Sequence, residues 1–219
     1  MKQSKSLLTV CIALTAQLVL WVNSACALEE FLIDPEHSRI SFRVRHLGLS
    51  EVTGNFTLFS GRILFAKDDL LKSRVDAVLE TKSISTGVEK RDKHLRSPDF
   101  FDISKFPKIS YLSSEIIGTD LNQFTVKGVL TMRGVSLPVE LQTKFLGLET
   151  DPWGYQRAAF SAQTSLNRRD FGLIWSKILE SGALVVGDQV NITLDIQAVK
   201  KQATPPGMPQ VKDGSEVSK

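Results

Sequence analysis

The chain has 219 residues, 27 Lys plus Arg against 24 Asp plus Glu, a formal net charge of +3, and two cysteines, Cys11 and Cys26. From Leu28 onward 25 basic residues face 24 acidic ones and no cysteine remains, so this portion makes no electrostatic case for nucleic acid and carries neither disulfide nor thiol chemistry. Its length, about 190 residues, suffices for one domain with a substantial interior.

Residues 1–27 have the pattern of a secretory signal. Lys2 and Lys5 precede an uncharged, mostly apolar run from Ser6 to Val22, and Ala25-Cys26-Ala27 places small residues where a signal peptidase cuts. The run is short for a membrane span of roughly 20 residues, which disfavours an uncleaved anchor. Asn23 stands where an acylated Cys26 would want an aliphatic neighbour. Cleavage and a periplasmic location are the expectation.

Beyond Asp34-Pro35, Ile40, Phe42 and Val44 alternate with Ser41, Arg43 and Arg45, a strand with one wet face. Val52, Gly54, Phe56 and Leu58 continue the alternation, and its phase changes near Phe59, Ser60 and Gly61 before Ile63 and Phe65. This predicts a bend or bulge at Gly61. Val75, Ala77 and Leu79 make a third set. Between Gly87 and Pro107 the β pattern breaks: a charged, helix-compatible half is followed by Phe100, Phe101 and Phe106 between two prolines. A short helix and an aromatic-rich crossing segment are predicted there, and strands resume from Ile109 to Ile117.

Phe124 to Phe145 is the stretch around which the rest is organised. Phe124, Val126, Gly128, Leu130 and Met132 share one face, and Leu137, Val139, Leu141, Thr143 and Phe145 share one face of the following run. A hairpin turning at Gly134-Val135, or across Arg133 to Ser136, sets Met132 opposite Leu137 and Phe124 opposite Phe145. A one-residue slip would put Lys127 and Glu140 among apolar side chains. Next come a strand from Gln156 to Leu166, an irregular or helical piece from Asp170 to Glu180, and a last strand whose Val190, Ile192, Leu194, Ile196 and Ala198 share a side. From Lys200 to Lys219 almost nothing apolar is available for burial, which predicts a disordered tail.

The pattern as a whole predicts an all-β fold: an eight-stranded antiparallel up-and-down barrel over residues 28–199, with a short helix and an irregular capping segment. Such a barrel has room for packed side chains or one slender ligand. An immunoglobulin-like sandwich needs shorter strands. An outer-membrane barrel needs aromatic girdles that two Trp and two Tyr after residue 27 cannot supply.

Catalytic chemistry has little support. His37, His46 and His94 lie far apart, with no HExxH or CxxC spacing, so no metal site and no catalytic residue is assigned. The expected ligand contacts are inward strand residues Ile40, Phe42, Val44, Phe56, Val126, Leu130, Leu141, Phe160, Leu166 and Ile192. Phe100, Phe101, Phe106, Phe171, Ile174 and Trp175 join them from outside the strands, where they would line the entrance of an apolar channel. Arg91 and Arg168 are head-group candidates, although such mixed-sign clusters more commonly pin loops.

Several segments together resemble the YceI-like family of lipocalin-type, polyisoprenoid-binding periplasmic proteins. The resemblance is carried by Ile33-Asp34-Pro35-Glu36-His37-Ser38, by His94-Leu95-Arg96-Ser97-Pro98-Asp99-Phe100-Phe101-Asp102, by Val126 to Val135, by Asn167-Arg168-Arg169-Asp170-Phe171-Gly172 and by Val186-Gly187-Asp188-Gln189-Val190. It implies an extended eight-stranded barrel with a helix, whose channel holds a polyisoprenoid or quinone-like lipid without a required cofactor and without established catalysis. A homodimer and a membrane redox partner are further expectations. The competing function is an enzyme that modifies an isoprenoid lipid through His46 or His94.

Overall fold

The computed structural model describes residues 28–178 and 184–202. The expected leader, the tail from residue 203 onward and the last two residues of the predicted piece at 170–180 lie outside them.

Among the described residues there are eleven strand segments: β1 (Glu29–Ile33), β2 (Arg39–His46), β3 (Ser50–Phe56), β4 (Phe59–Phe65), β5 (Arg74–Glu80), β6 (Ile84–Ser85), β7 (Lys108–Asp120), β8 (Gln123–Met132), β9 (Val135–Thr150), β10 (Gln156–Asn167) and β11 (Val186–Lys200). One helix, α1 (Glu89–Arg96), lies between β6 and β7. Every pairing is antiparallel, and β1 closes the ring by pairing with both β4 and β11. Segments β2, β3 and β6 prolong β1, β4 and β5 past short breaks, so eleven segments make the eight staves of a closed barrel.

The break between β1 and β2 is stitched rather than loose. Asp34 N donates to Gln197 O at 2.9 Å, and Ser38 exchanges two bonds with Gln197, at 3.0 and 2.9 Å. Strand β1 itself escapes the sequence pattern, because of its five residues only Phe31 is buried. At the other break the expectation is corrected. Gly61 pairs with Ala77 in unbroken register, and the phase changes at Thr57–Leu58, where Phe56 and Phe59 are both buried and Leu58 is 49% exposed. Gly61 is instead a close-packing position: a Cβ there would lie 2.6 Å from the Asp76 carbonyl oxygen.

The β8–β9 hairpin also differs from both expected loops. Arg133 and Gly134 form the turn, with φ of 52° and 76°, and Met132 pairs with Val135, Leu130 with Leu137 and Phe124 with Thr143. Two positive φ values define a type I′ turn, whose twist suits the flanking strands. The register differs by two residues from the expected one, so every side chain keeps its face, and on the outer face Lys127 now meets Glu140. Pro138 pairs with Val129 where its missing N–H would point away from β8, so no ladder bond is lost. The predicted tail also begins later than expected: Lys200 pairs with Phe31, and Lys201 N donates to Glu30 O at 2.8 Å.

Both ends are packed. At the end away from α1, Phe65, Phe145 and Phe160 meet with centroids 5.0–5.3 Å apart, and Leu70 is buried beside the cavity they bound. At the helix end, Phe101 meets Phe56 edge-on at 6.0 Å, and His94, Phe100 and Trp175 form a cluster with centroids 4.9–5.2 Å apart.

Candidate functional site

The period-two alternation turns one row of each stave inward, and the rows enclose a cavity of about 250 Å³. Ile40, Phe42 and Val44 come from β2, Phe56 from β3, Val126 and Leu130 from β8, Val139 and Leu141 from β9, Phe160 and Leu166 from β10, and Val190, Ile192, Leu194 and Ile196 from β11.

Apart from Thr164, the polar side chains on this wall are occupied with the protein's own groups. The Tyr111 hydroxyl shares its proton between the carbonyls of Val126 at 3.0 Å and Val139 at 3.2 Å. Burial, reinforced by the charge of Glu140, pushes the Tyr111 phenol far above its usual pKa, so it stays neutral. Thr143 donates to Leu141 O at 3.0 Å, Ser41 to Thr193 O at 3.3 Å, and the Ser73 hydroxyl oxygen accepts from Ala66 N at 2.9 Å.

Arg168 is 4% exposed and touches the cavity, yet it is no free head-group donor. Its Nε donates to Gly187 O at 2.8 Å, Nη1 to the carbonyls of Leu173 and Trp175, and Nη2 to Val186 O at 3.2 Å and Asp188 Oδ1 at 2.9 Å. All five N–H groups are therefore spent. Burial draws its pKa below the usual guanidinium value against the opposing charge of Asp188. Its role is to tie the turn after β10 to the start of β11. Arg91 lies away from the cavity wall and holds Thr86, with Nε 2.7 Å from the hydroxyl and Nη2 3.0 Å from the carbonyl.

Of the sixteen apolar contacts expected from sequence, Ile40, Phe42, Val44, Phe56, Phe100, Phe101, Val126, Leu130, Leu141, Phe160, Leu166 and Ile192 line the cavity. Four do not. Ile174 is 63% exposed, and Phe171 is buried in the short 3-10 turn Arg168–Phe171. Phe106 covers Gly134, and Trp175 packs against His94 and Phe100. Sequence reasoning missed Phe65, Val139, Val190, Leu194 and Ile196, all legible from alternation, and Leu70 and Leu173, which sit in irregular segments with no period to read.

None of the three histidines lines the cavity. His94 Nε2 lies 2.9 Å from Asp99 Oδ2, and His37 Nδ1 lies 2.8 Å from Asp34 Oδ2. Asp34, Glu36 and His37 could bring ligating atoms within 4.8 Å of one another, but the Asp34 carboxylate already accepts from Glu36 N, His37 and Arg157. That donor set marks a turn that orders the break between β1 and β2.

A closed eight-stranded antiparallel barrel, with a helix at one end and an apolar hollow inside, defines the lipocalin-like class of fold. The chain belongs to the YceI-like family, whose domain model matches residues 31–198. It is 34% identical over 199 residues to a UPF0312 protein of Vibrio campbellii, covering 90% of this chain and 99% of that one. Two solved structures share the fold. BcnA of Burkholderia cenocepacia has a TM-score of 0.67 at 19% identity, covering 76% of this chain and 99% of its own. A polyisoprenoid-binding domain from Saccharophagus degradans, implicated in plant cell wall breakdown, has a TM-score of 0.55 at 16% identity, covering 80% of this chain and all of that domain.

Proposed function

We propose that this protein is a periplasmic carrier that holds the hydrocarbon chain of an isoprenoid or similar lipid inside the barrel. The observation that carries this reading is the cavity wall, on which Tyr111, Thr143, Ser41, Ser73 and Arg168 all spend hydrogen bonds on protein partners and leave an apolar surface. An apolar cavity of about 150 Å³ stays dry and takes up benzene, and this one is larger, at about 250 Å³. Burying about ten methylenes supplies about 8 kcal/mol gross before the costs of association. The polyisoprenoid-binding domain that shares the fold supports the same ligand class. The periplasmic part of the proposal rests on residues 1–27 alone.

Native purification followed by extraction and mass spectrometry tests it. A co-purifying long-chain lipid at near one per barrel is the expected result, and protein free of any amphiphile under gentle conditions counts against it. Pairing of two barrels belongs to the same proposal, supported by Leu112 and Val129, which pair on the outer face at 61% and 42% exposure. Sedimentation at micromolar concentration checks that pairing. Crosslinking in intact cells checks for a membrane redox partner.

A further inference from the structure

Both ends of the barrel expose apolar side chains, and charge tells the ends apart. At the helix end Leu49, Val88, Ile174 and Ile178 are 86%, 47%, 63% and 73% exposed. Val88 immediately precedes α1, and Trp175 packs on His94 of α1 with centroids 5.0 Å apart. Val185 N donates to Lys177 O at 2.9 Å, and Leu47 N, in the β2–β3 turn that carries Leu49, donates to Val185 O at 3.0 Å. Residues 174–178 are thereby tied both to α1 and to that turn, and the four aliphatic side chains share one end of the molecule.

The cations around them are unmatched. In α1, Leu95 lines the cavity and Asp92 is buried, so Lys90 and Lys93, one turn apart and exposed, take the outward face. Among the described residues these two, together with Arg45, Lys82 and Lys177, are exposed and enter no ion pair. The acids nearby are mostly taken: Glu51 lies 4.0 Å from Arg43, Glu89 3.7 Å from Arg96 and Asp188 2.9 Å from Arg168, and Asp99 is bonded to His94. Asp170 is exposed without an ion pair. The far end has the opposite balance. Leu28, Leu71, Trp153 and Tyr155 are exposed there, but Lys200 and Lys201 are paired with Glu29 and Glu30. Lys67 and Arg74, which enter no ion pair, stand against the equally unpaired Asp68, Asp120 and Glu149.

We propose that the helix end docks on the surface of an anionic phospholipid bilayer, with Lys90 and Lys93 against the lipid phosphates and Leu49, Val88, Ile174 and Ile178 in the interfacial layer. Apolar burial at the head-group boundary and attraction of lysines to anionic lipid add to each other. Aliphatic side chains on three separate segments need no shape match from a fluid bilayer, whereas a protein partner would have to fit each one. Docking in this orientation turns Leu95, Phe100, Phe101 and Leu173, which close the cavity at this end, toward the bilayer. A guest then passes between bilayer and cavity without exposing its chain to water. That passage rests on the carrier reading; the docking face itself does not, because it is built of exposed residues outside the cavity.

Hydrogen exchange of the purified protein, with and without vesicles of phosphatidylglycerol and phosphatidylcholine in equal parts, tests the face. Slowed exchange is expected in residues 45–51, 88–93 and 174–178 and not in 67–74 or 151–155, with binding that weakens as salt is raised. Lys90→Glu combined with Lys93→Glu should weaken vesicle binding at least about tenfold, and Leu49→Ser combined with Ile174→Ser should weaken it as well. Lys67→Glu combined with Lys144→Glu, the same change of charge away from this end, should leave binding within about twofold of the parent. Absence of vesicle binding would overturn the proposal and leave the face to an acidic protein. Protection at the far end, or equal weakening by both charge reversals, would overturn the assignment of the face. Lipid that co-purifies with a protein unable to bind vesicles would sink the docking alone, and vesicle binding by a protein that retains no lipid would sink the carrier reading alone.

Discussion

Arg157 on β10 joins two bends that are far apart in sequence: its Nη1 lies 2.8 Å from Asp34 Oδ2 in the break after β1, and its Nε lies 2.8 Å from Asp151 Oδ2 in the turn before β10. Burial alone would raise the pKa of both carboxyls. For Asp34 the hydrogen bonds from His37, Arg157 and Glu36 N outweigh it, and for Asp151 those from Arg157, Tyr155 N and Trp153 N do, so both fall below the ordinary 3.8. A depressed carboxyl pKa contributes stability that is complete above the unfolded value and is lost as pH falls through the folded one. Arg157→Met is therefore expected to lower the urea midpoint at pH 7 and to flatten its decline below about pH 4. Part of the decline survives, because Asp34 keeps its bonds from His37 and Glu36 N. Urea melts between pH 7 and pH 2 check this, and an unchanged acid slope would refute it.

Arg168→Lys separates a structural arginine from a ligand contact. Lysine offers three donors where arginine fills five acceptors, so at least two of Gly187 O, Leu173 O, Trp175 O, Val186 O and Asp188 Oδ1 lose a partner. A hydrogen bond from a charged donor is worth about 1.5–3 kcal/mol, and the expected destabilisation is about 3 kcal/mol. Because the side chain joins the start of β11 to the turn after β10, the loss is read in urea unfolding of the whole barrel. A head-group role would instead leave stability intact and change only lipid retention.

The β8–β9 hairpin shows what was legible in the sequence and what was not. Alternation identifies which side chains face inward, and it places Val126, Leu130 and Leu141 on the cavity wall. A two-residue slide leaves every face unchanged, so alternation is blind to it, and the turn dihedrals at Arg133 and Gly134 decide the register. The caps were less legible for a related reason. No period tells which aromatic of an irregular segment turns inward, so Phe100 and Phe101 reach the cavity while Phe106 and Trp175 do not. The end of the β9–β10 ladder at Gln142↔Gln163 was hidden as well, because both strands keep their alternation past it.

Gly134→Ala tests the turn that sets this register. Gly134 has φ of 76°, and a Cβ there would lie 2.9 Å from Cε1 of Phe106. The left-handed conformation costs a non-glycine residue about 1–2 kcal/mol, and displacing the Phe106 ring adds to it. The expected loss is about 2 kcal/mol in unfolding free energy, with the far-UV spectrum unchanged. A neutral substitution would mean that the turn does not adopt these dihedrals in solution.

Ala162→Phe tests the hollow directly. Ala162 lies on β10 between Thr143 and Leu194, is 8% exposed and lines the cavity. A phenyl ring matches a guest that fits an apolar space of about 150 Å³, so it can occupy much of the roughly 250 Å³ available without forcing the staves apart. Overpacking a core with no room costs about 1–3 kcal/mol, whereas a ring entering vacant space is expected to leave stability within about 1 kcal/mol of the parent. Retention of a long-chain lipid should then fall at least tenfold. Ser161→Phe, one residue away and opposite Asp195 on the outer face, should leave retention unchanged. Equal retention by both variants would show that the lipid does not occupy this space, and a large loss of stability in Ala162→Phe would show that the space is not vacant.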